Sequence, residues 1–206
     1  MSFSNTSTGS KPADPYTDKN QDNATTAEKI EGFEKFVTSA KYGMMTTHDT
    51  SSDKLVSRCM AVADTEVGGI DLLFFTNTES HKTDELEKNP TTNIGFLNSS
   101  GEWASVSGKA EIVTERSLIK QHYKSTLKAW MGDLGDGKHD GSENDPRIGI
   151  IRVKTQTVVY SISHKTAIGM AVEVAKGTIT GETAGVNKLR EITETDVLQW
   201  RSTHTK

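Results

Sequence analysis

The chain has 206 residues, one cysteine and a formal net charge of −4, and only 33% of its residues are hydrophobic. The length favours one domain with a tail, the negative charge argues against a nucleic-acid or anionic-membrane binder, and one cysteine excludes an intrachain disulfide. No apolar run approaches the roughly 18 residues of a membrane span, and the polar N-terminus is not a secretory signal. We therefore expect a soluble cytoplasmic protein with no membrane or nucleic-acid partner.

Residues 1–24 are rich in Ser, Thr, Asn, Asp and Lys, which predicts a disordered N-terminal tail. Order is predicted to begin at Thr25, a candidate N-cap that Glu28 would complete as a capping box. A helix with an apolar face through Ile30 and Phe33 is predicted to follow.

Seven short strand-like runs come next, mostly joined by polar turns. They cover residues 42–48, 55–63, 70–76, 92–97, 102–114, 147–154 and 157–163. This pattern predicts a mainly β protein with flanking helices, built as an antiparallel barrel of six or seven strands rather than as βαβ units.

The rest of the chain is helical or irregular. Residues 115–130 have a helical pattern, and the Gly- and Asp-rich stretch 131–146 predicts a long loop that could cover a binding site. We assign residues 25–181 to the barrel domain and 182–206 to a C-terminal extension that is partly helical.

The segment FFTNTESHKTDELEKNP, residues 74–90, begins as a strand and ends as a helix. Thr76, Ser80 and Lys82 lie where the strand gives way to the helix. A helix start offers free backbone N–H groups and partial positive charge, so a lysine there suggests a bound anion, although a solvated surface lysine is the alternative. His81 could donate a proton, but an exposed histidine at a helix start is the simpler interpretation.

Arg58 lies inside an otherwise apolar strand. A buried guanidinium needs a partner and a phosphate suits it well, whereas on an edge strand the side chain would turn to water. Together with the hydroxyls and Lys82, Arg58 favours a phosphate site. Cys59 is predicted to be a small buried hydrophobe rather than a redox group. The six histidines and one cysteine show no metal-ligand spacing, so no metal is expected.

Two motifs together carry a family resemblance. Ser57-Arg58-Cys59-Met60, followed by LFFTNxxSxKxxxLxxNP at 73–90, resembles the pyridoxamine 5′-phosphate oxidase-like flavoproteins. Within that family the sequence is most similar to the general-stress-protein branch and its fungal blue-light-inducible type. The resemblance runs from about residue 25 to residue 181 and implies a split β-barrel that binds FMN at a homodimer interface.

The resemblance also implies roles for single residues around the phosphate and ribityl chain of FMN. Arg58, Ser80 and Lys82 would hold the phosphate, with His81 in the same turn. Phe75 and Thr76 would flank the ribityl chain.

Other residues would surround the flavin ring. The backbone of Cys59, Met60 and Ala61 would line the isoalloxazine. Trp103 falls where the related oxidases carry a glutamine, and it could stack on the flavin or fill the core. Trp130 resembles an aromatic residue before the acidic loop, and Tyr160 stands where the family usually has a tryptophan near the flavin of the partner subunit.

A flavin site does not identify a substrate, because the redox chemistry belongs to the cofactor. Two functions remain open: an FMN-dependent oxidoreductase that takes electrons from a reduced nicotinamide and acts on a small molecule, and a protein that stores, carries or senses FMN. A true pyridoxamine phosphate oxidase is disfavoured, because its phosphate-gripping C-terminal segment has no match in residues 187–206.

Overall fold

Six antiparallel strands form a closed barrel, and a seventh strand extends it. The computed structural model describes residues 13–163, 165 and 167–204. The strands are β1 (Tyr42–Asp49), β2 (Lys54–Glu66), β3 (Asp71–Asn77), β4 (Thr91–Leu97), β5 (Trp103–Val113), β6 (Ile148–Ser163) and β7 (Asn187–Ile192). Their order is β3-β2-β1-β4-β5-β6-β7, and pairing of β3 with β6 closes the barrel. The predicted fold class is confirmed.

Helices flank the barrel. They are α1 (Pro15–Asn20), α2 (Thr26–Ala40), α3 (His81–Lys88), α4 (Arg116–His122), α5 (Lys128–Met131), α6 (Ala167–Thr180) and α7 (Glu194–His204), with a 3₁₀ turn at Ser125–Leu127. The predicted capping box opens α2, because the Glu28 carboxylate accepts from Thr25 N at 2.8 Å and Thr25 Oγ1 accepts from Glu28 N at 3.3 Å. None of the helices in the described part of the chain combines the length and apolar character needed to cross a bilayer.

The core lies inside the barrel and under α2. Phe33, Met45, Phe74, Ile94 and Tyr160 are among its fully buried side chains. The hydroxyl of Tyr160 donates to the carbonyl oxygen of Lys29 at 2.6 Å, which ties β6 to the helix that covers the core.

Two predicted elements were wrong in their boundaries. The two strands predicted at 147–154 and 157–163 are a single strand of 16 residues, β6 (Ile148–Ser163). The register against β5 shifts between Ser107 and Gly108, which leaves Gln156 as an extra residue where the sequence suggested a break. The predicted helix 115–130 consists of α4, the 3₁₀ turn and α5, and the loop predicted at 131–146 spans 132–147.

The two ends of the described chain pack together on the barrel. The segment 182–206, predicted to be an extension, contributes β7 to the sheet and then α7. Residues 13–24, predicted to belong to a disordered tail, contain α1, while residues 1–12 lie outside the described residues. Asn20 is buried, and its side-chain oxygen accepts from Val186 N and Asn187 N at 3.0 Å each.

Residues 115–147, which we call the strap, cover one side of the barrel. Apolar strap residues pack on Leu73, Ile148 and Ile150, all 0% exposed. Asp145 anchors the acidic loop: its carboxylate accepts from Gly141 N at 2.7 Å and from Arg147 Nη2 at 2.6 Å. The ion pair with Arg147 lowers the pKa of Asp145 to about 2.

On the opposite side of the barrel, the outer surface of β2, β1, β4 and β5 has no cover among the described residues. We call its part at residues 57–61, 42–46, 93–97 and 103–107 the open face; the charged residues Lys109 and Glu111 lie beyond it on β5. The outward side chains of the open face carry no charge at neutral pH. They are Ser57, Cys59 and Ala61 on β2, Tyr42, Met44 and Thr46 on β1, Asn93, Gly95 and Leu97 on β4, and Trp103, Ser105 and Ser107 on β5. Tyr42, Met44 and Leu97 are 59%, 46% and 72% exposed.

Cys59 was predicted to be buried, and that prediction was wrong. Strand β2 alternates, so the inward positions are taken by Arg58 and Met60 and the thiol of Cys59 points outward. The interior position expected for Cys59 is occupied by Met60, which packs against the barrel core.

Candidate functional site

Arg58 forms an ion pair that the sequence did not reveal. Its strand position places it opposite Met45 of β1, on the side that faces α3. Its Nη2 donates to Glu85 Oε1 at 2.7 Å, and its Nη1 donates to Glu85 Oε2 and to Thr47 Oγ1, both at 2.8 Å. The sequence feature that could have indicated this ion pair is the position of Glu85 beside Leu86, on the buried face of α3.

The charge of Arg58 is therefore balanced within the chain. Its hydrogen bond holds the pKa of Glu85 below its ordinary value. A guanidinium has five N–H donors, and three of those of Arg58 are used in these bonds. The side chain is 29% exposed, so the two remaining N–H groups can still reach a ligand.

Lys82 is the unbalanced cation of this cluster. Its ammonium donates to Ser80 Oγ at 2.8 Å, and it has no carboxylate partner among the described residues. Burial lowers the pKa of Lys82, and repulsion from Arg58 lowers it further. Arg58, Lys82 and Glu85 together leave one surplus positive charge, which an anion would neutralise.

The start of α3 adds backbone donors to this cluster. Ser80 occupies the N-cap position, but its hydroxyl donates to Asn77 O at 2.7 Å and does not cap the helix. Thr83 N donates to Ser80 O at 2.8 Å. The N–H groups of His81 and Lys82 are therefore left for another acceptor, beside the surplus charge of Lys82.

Strand β2 has an unpaired edge next to the cluster. Its pairing with β3 covers only Val62–Glu66, whereas its pairing with β1 covers Lys54–Ala61. Val62 N donates to Lys41 O on the β1 side at 2.9 Å, so by alternation the backbone groups of Cys59 and Ala61 point away from β1. The strand thus offers donors and acceptors to a ligand at residues 59 and 61.

Two predicted site residues are enclosed by the fold, and a third, Phe75, is partly buried. Tyr160 is 0% exposed under α2, so this chain does not present it to a ligand. Thr76 is 4% exposed and its hydroxyl donates to Asn77 O at 3.1 Å. Phe75 packs against the apolar cluster beneath the strap.

Three other predicted site residues lie on the surface. The His81 side chain is 96% exposed, 3.9 Å from the Asp84 carboxylate. Trp103 stands at the end of the open face and is 36% exposed, which rules out the core-filling alternative. Trp130 is 86% exposed on α5, in the strap. The structure thus groups Arg58, Ser80 and Lys82 but does not bring these aromatic residues to them.

A groove of about 370 Å³ runs beside the cluster. Its lining includes Arg58 and Lys88 together with the carboxylates of Asp49, Asp84 and Glu85. No group of three or more His, Cys, Asp or Glu in the described part of the chain could hold a metal ion. The groove is therefore lined by charges of both signs, and the surplus positive charge of the cluster lies at Lys82.

The model of the family described as "Pyridoxamine 5'-phosphate oxidase like" matches residues 28–185. The chain belongs to this family. It is 57% identical over 204 residues to Protein bli-3 of Neurospora crassa, with 98% of each chain covered. The family match, this relative and the general stress protein 26 structure described next confirm the resemblance stated from the two motifs.

Two solved structures show the same fold. A general stress protein 26 of Jannaschia sp. aligns with a TM-score of 0.63 at 18% identity, over 81% of this chain and 99% of its own. A pyridoxamine 5′-phosphate oxidase-related, FMN-binding protein of Nostoc punctiforme aligns with a TM-score of 0.50 at 12% identity, over 64% and 79%.

Proposed function

We propose that this protein is an FMN-binding flavoprotein whose cofactor lies along β2. The observation that carries the proposal is the unpaired edge of β2, which ends at the surplus positive charge of Lys82. Lys82, the free N–H groups of Arg58 and the start of α3 would hold the phosphate, and the backbone of Cys59 and Ala61 would meet the polar edge of the flavin ring. The FMN-binding relative from Nostoc punctiforme supports this assignment.

The spacing along the strand fits an extended ligand. Arg58 and Ala61 are three residues apart, which corresponds to about 10 Å of strand at roughly 3.3 Å per residue. That length is comparable to a ribityl phosphate chain. A ligand that places an anion at one end and a hydrogen-bonding planar ring at the other therefore matches the order of groups on β2.

We propose further that the protein is a homodimer in which the open face meets its counterpart. An uncharged exposed sheet with large apolar side chains is typical of an interaction surface. Gly95 lies within this face, and a Cβ built on it would have no atom within 4 Å. The gap leaves room for a flat ring or for a side chain from the second copy.

FMN would supply the redox chemistry of an oxidoreductase, with a reduced nicotinamide as electron donor and a small molecule as acceptor. The residues of this chain would bind the phosphate, orient the ring and shield it in the dimer. The anchor at Asp145 holds the acidic loop in the strap.

One observation favours the alternative, an FMN-storing or FMN-sensing protein. The carboxylates nearest the cluster are engaged: Glu85 with Arg58, and Asp49 with the hydroxyls of Ser51 and Ser52, both with a lowered pKa. Neither is protonated at neutral pH, and His81 is exposed. The described residues that line the groove thus include no buried proton donor for turnover.

The first experiment is the absorption spectrum of the purified protein, followed by chromatography of the chromophore released on denaturation. We expect bound FMN, or uptake of added FMN by colourless protein. A protein that neither contains nor takes up FMN would contradict the proposal. Anaerobic mixing with NADH or NADPH then separates the two functions: fast flavin bleaching supports the oxidoreductase, and reduction by dithionite alone supports storage or sensing.

A further inference from the structure

Helix α6 presents its apolar side to water. Ile168, Val172, Ala175 and Ile179 follow the spacing i, i+4, i+7, i+11 and so form one stripe along the helix. Ile168, Val172 and Ile179 are 79%, 62% and 86% exposed. A surface helix normally turns such a stripe toward its own core, so this stripe is exposed without a partner in the described part of the chain.

The other side of α6 is the one that contacts the chain. Glu173 pairs with Lys165 at 2.8 Å, and a Cβ on Gly177 would lie 2.6 Å from Glu182 O. Lys176 lies 3.8 Å from the Glu182 carboxylate. The charges of α6 are thus balanced locally, and the outward stripe has no net charge that would attract it to an anionic membrane.

We propose that α6 packs its apolar stripe on the open face of a second copy of this chain, against the end row formed by Tyr42, Leu97 and Trp103. This inference rests on the homodimer of the proposed function. In this arrangement each subunit extends α6 as an arm that packs on its partner at the edge of the dimer interface.

Three observations select a second copy as the occupant. The open face exposes neighbouring large apolar side chains, Tyr42, Met44 and Leu97, and neither this face nor the stripe of α6 carries a charge. A helix of 14 residues is about 21 Å long and four strands span about 19 Å, so the lengths match. Finally, β6 pairs Ser161 with Trp103 and leads toward α6, which therefore begins beside the rim of the open face.

Cysteine cross-linking tests this contact directly. In a Cys59→Ser background, a chain with Leu97→Cys is co-expressed with a differently tagged chain that carries Val172→Cys. The matched control replaces Val172→Cys by Leu198→Cys on α7, because Leu198 is exposed to the same 62%. We expect a disulfide-linked heterodimer for the 97/172 combination and little for 97/198. Absence of the 97/172 product, or equal yields of both products, would overturn the proposal.

A second measurement compares Val172→Lys with Leu198→Lys by sedimentation. Burial of an unpaired charge should raise the dimer dissociation constant roughly tenfold or more for Val172→Lys only. Equal values for the two variants would contradict the contact. Flotation with vesicles of phosphatidylcholine and phosphatidylserine tests a membrane as the occupant. If the wild type floats with the vesicles and only Val172→Lys loses this binding, a membrane covers the stripe instead.

The flavin content of the same samples separates this inference from the proposed function. A flavin-loaded dimer without the 97/172 cross-link refutes the arm and leaves FMN binding intact. A cross-linked dimer that neither contains nor takes up FMN supports the arm and refutes the cofactor.

Discussion

The two sides of the barrel differ in how far other parts of the chain cover their outer surfaces. On β3 and β6, Leu73, Ile148 and Ile150 are fully buried because the strap lies over them. On the open face, Tyr42 and Leu97 stand in solvent, and no outward side chain is charged although 25% of the chain's residues are. The first surface is covered by its own chain. The second has the composition of a surface that a partner covers.

The same contrast divides β2 along its length. From Val62 to Glu66 the strand is paired with β3, and from Lys54 to Ala61 it is paired with β1 alone. Backbone groups that lie unpaired beside a cluster with surplus positive charge are the feature that distinguishes a binding edge from an ordinary strand edge.

The largest expected effect lies on the covered side. Ile150→Ala should lower the free energy of unfolding by about 2–5 kcal/mol, because it opens a cavity beneath the strap. Leu97→Ala on the open face should cost less than about 0.5 kcal/mol at low protein concentration, where the subunits are separate. Denaturant unfolding at two concentrations measures both, and an equally large loss for Leu97→Ala in the monomer would show that the open face is packed within one chain.

The ion pair behind the binding edge should be next in magnitude. Arg58→Ala should cost about 1–3 kcal/mol, because it leaves the carboxylate of Glu85 buried without its partner. The double variant Arg58→Ala/Glu85→Gln should recover much of that loss. If the double variant is as unstable as the sum of the two single variants, the pair contributes no coupling and the structural role of Glu85 is refuted.

Gly95→Leu probes the open face without disturbing the barrel, because a Cβ at this position meets no atom of its own chain within 4 Å. Overpacking should weaken the dimer by about 1–3 kcal/mol, roughly five- to 150-fold in dissociation constant, with monomer stability nearly unchanged. Sedimentation equilibrium measures the mass. A dimer of unchanged affinity would place the interface elsewhere.

A smaller effect is expected from pH. The pKa of Glu85 is below its ordinary value of 4.5, mainly through the hydrogen bond from Arg58. Its contribution to stability is complete above about pH 4.5 and is lost as pH falls through the lowered pKa. The stability difference between the wild type and Glu85→Gln should therefore shrink on acidification. A difference that is constant from pH 7 down to pH 3 would contradict the shift.

Much of the fold follows from local patterns in the sequence. Alternating residues predicted the barrel strands, and the box at Thr25 and Glu28 predicted the start of α2. The undivided β6 was missed because a single extra residue at Gln156 resembles a turn in sequence. Helix α6 was missed because its apolar stripe has no matching polar side, which is the usual signal of a surface helix.

The candidate site could be predicted only in part. The motif placed Arg58, Ser80 and Lys82 together, and the structure groups them. It could not show that Glu85 neutralises Arg58, because that pair depends on how α3 packs against β1 and β2. Nor could it show that Tyr160 is enclosed, because burial at that position depends on α2.

The most direct test of the proposed site compares FMN with riboflavin, which lacks the phosphate, by equilibrium titration of the wild type and Lys82→Ala. Lys120→Ala is the control, because Lys120 is exposed on α4 in the strap. We predict that Lys82→Ala weakens FMN by about 1–3 kcal/mol, roughly five- to 150-fold, and leaves riboflavin unchanged, while Lys120→Ala affects neither. Equal losses for FMN and riboflavin, or no loss for FMN, would contradict a phosphate at Lys82.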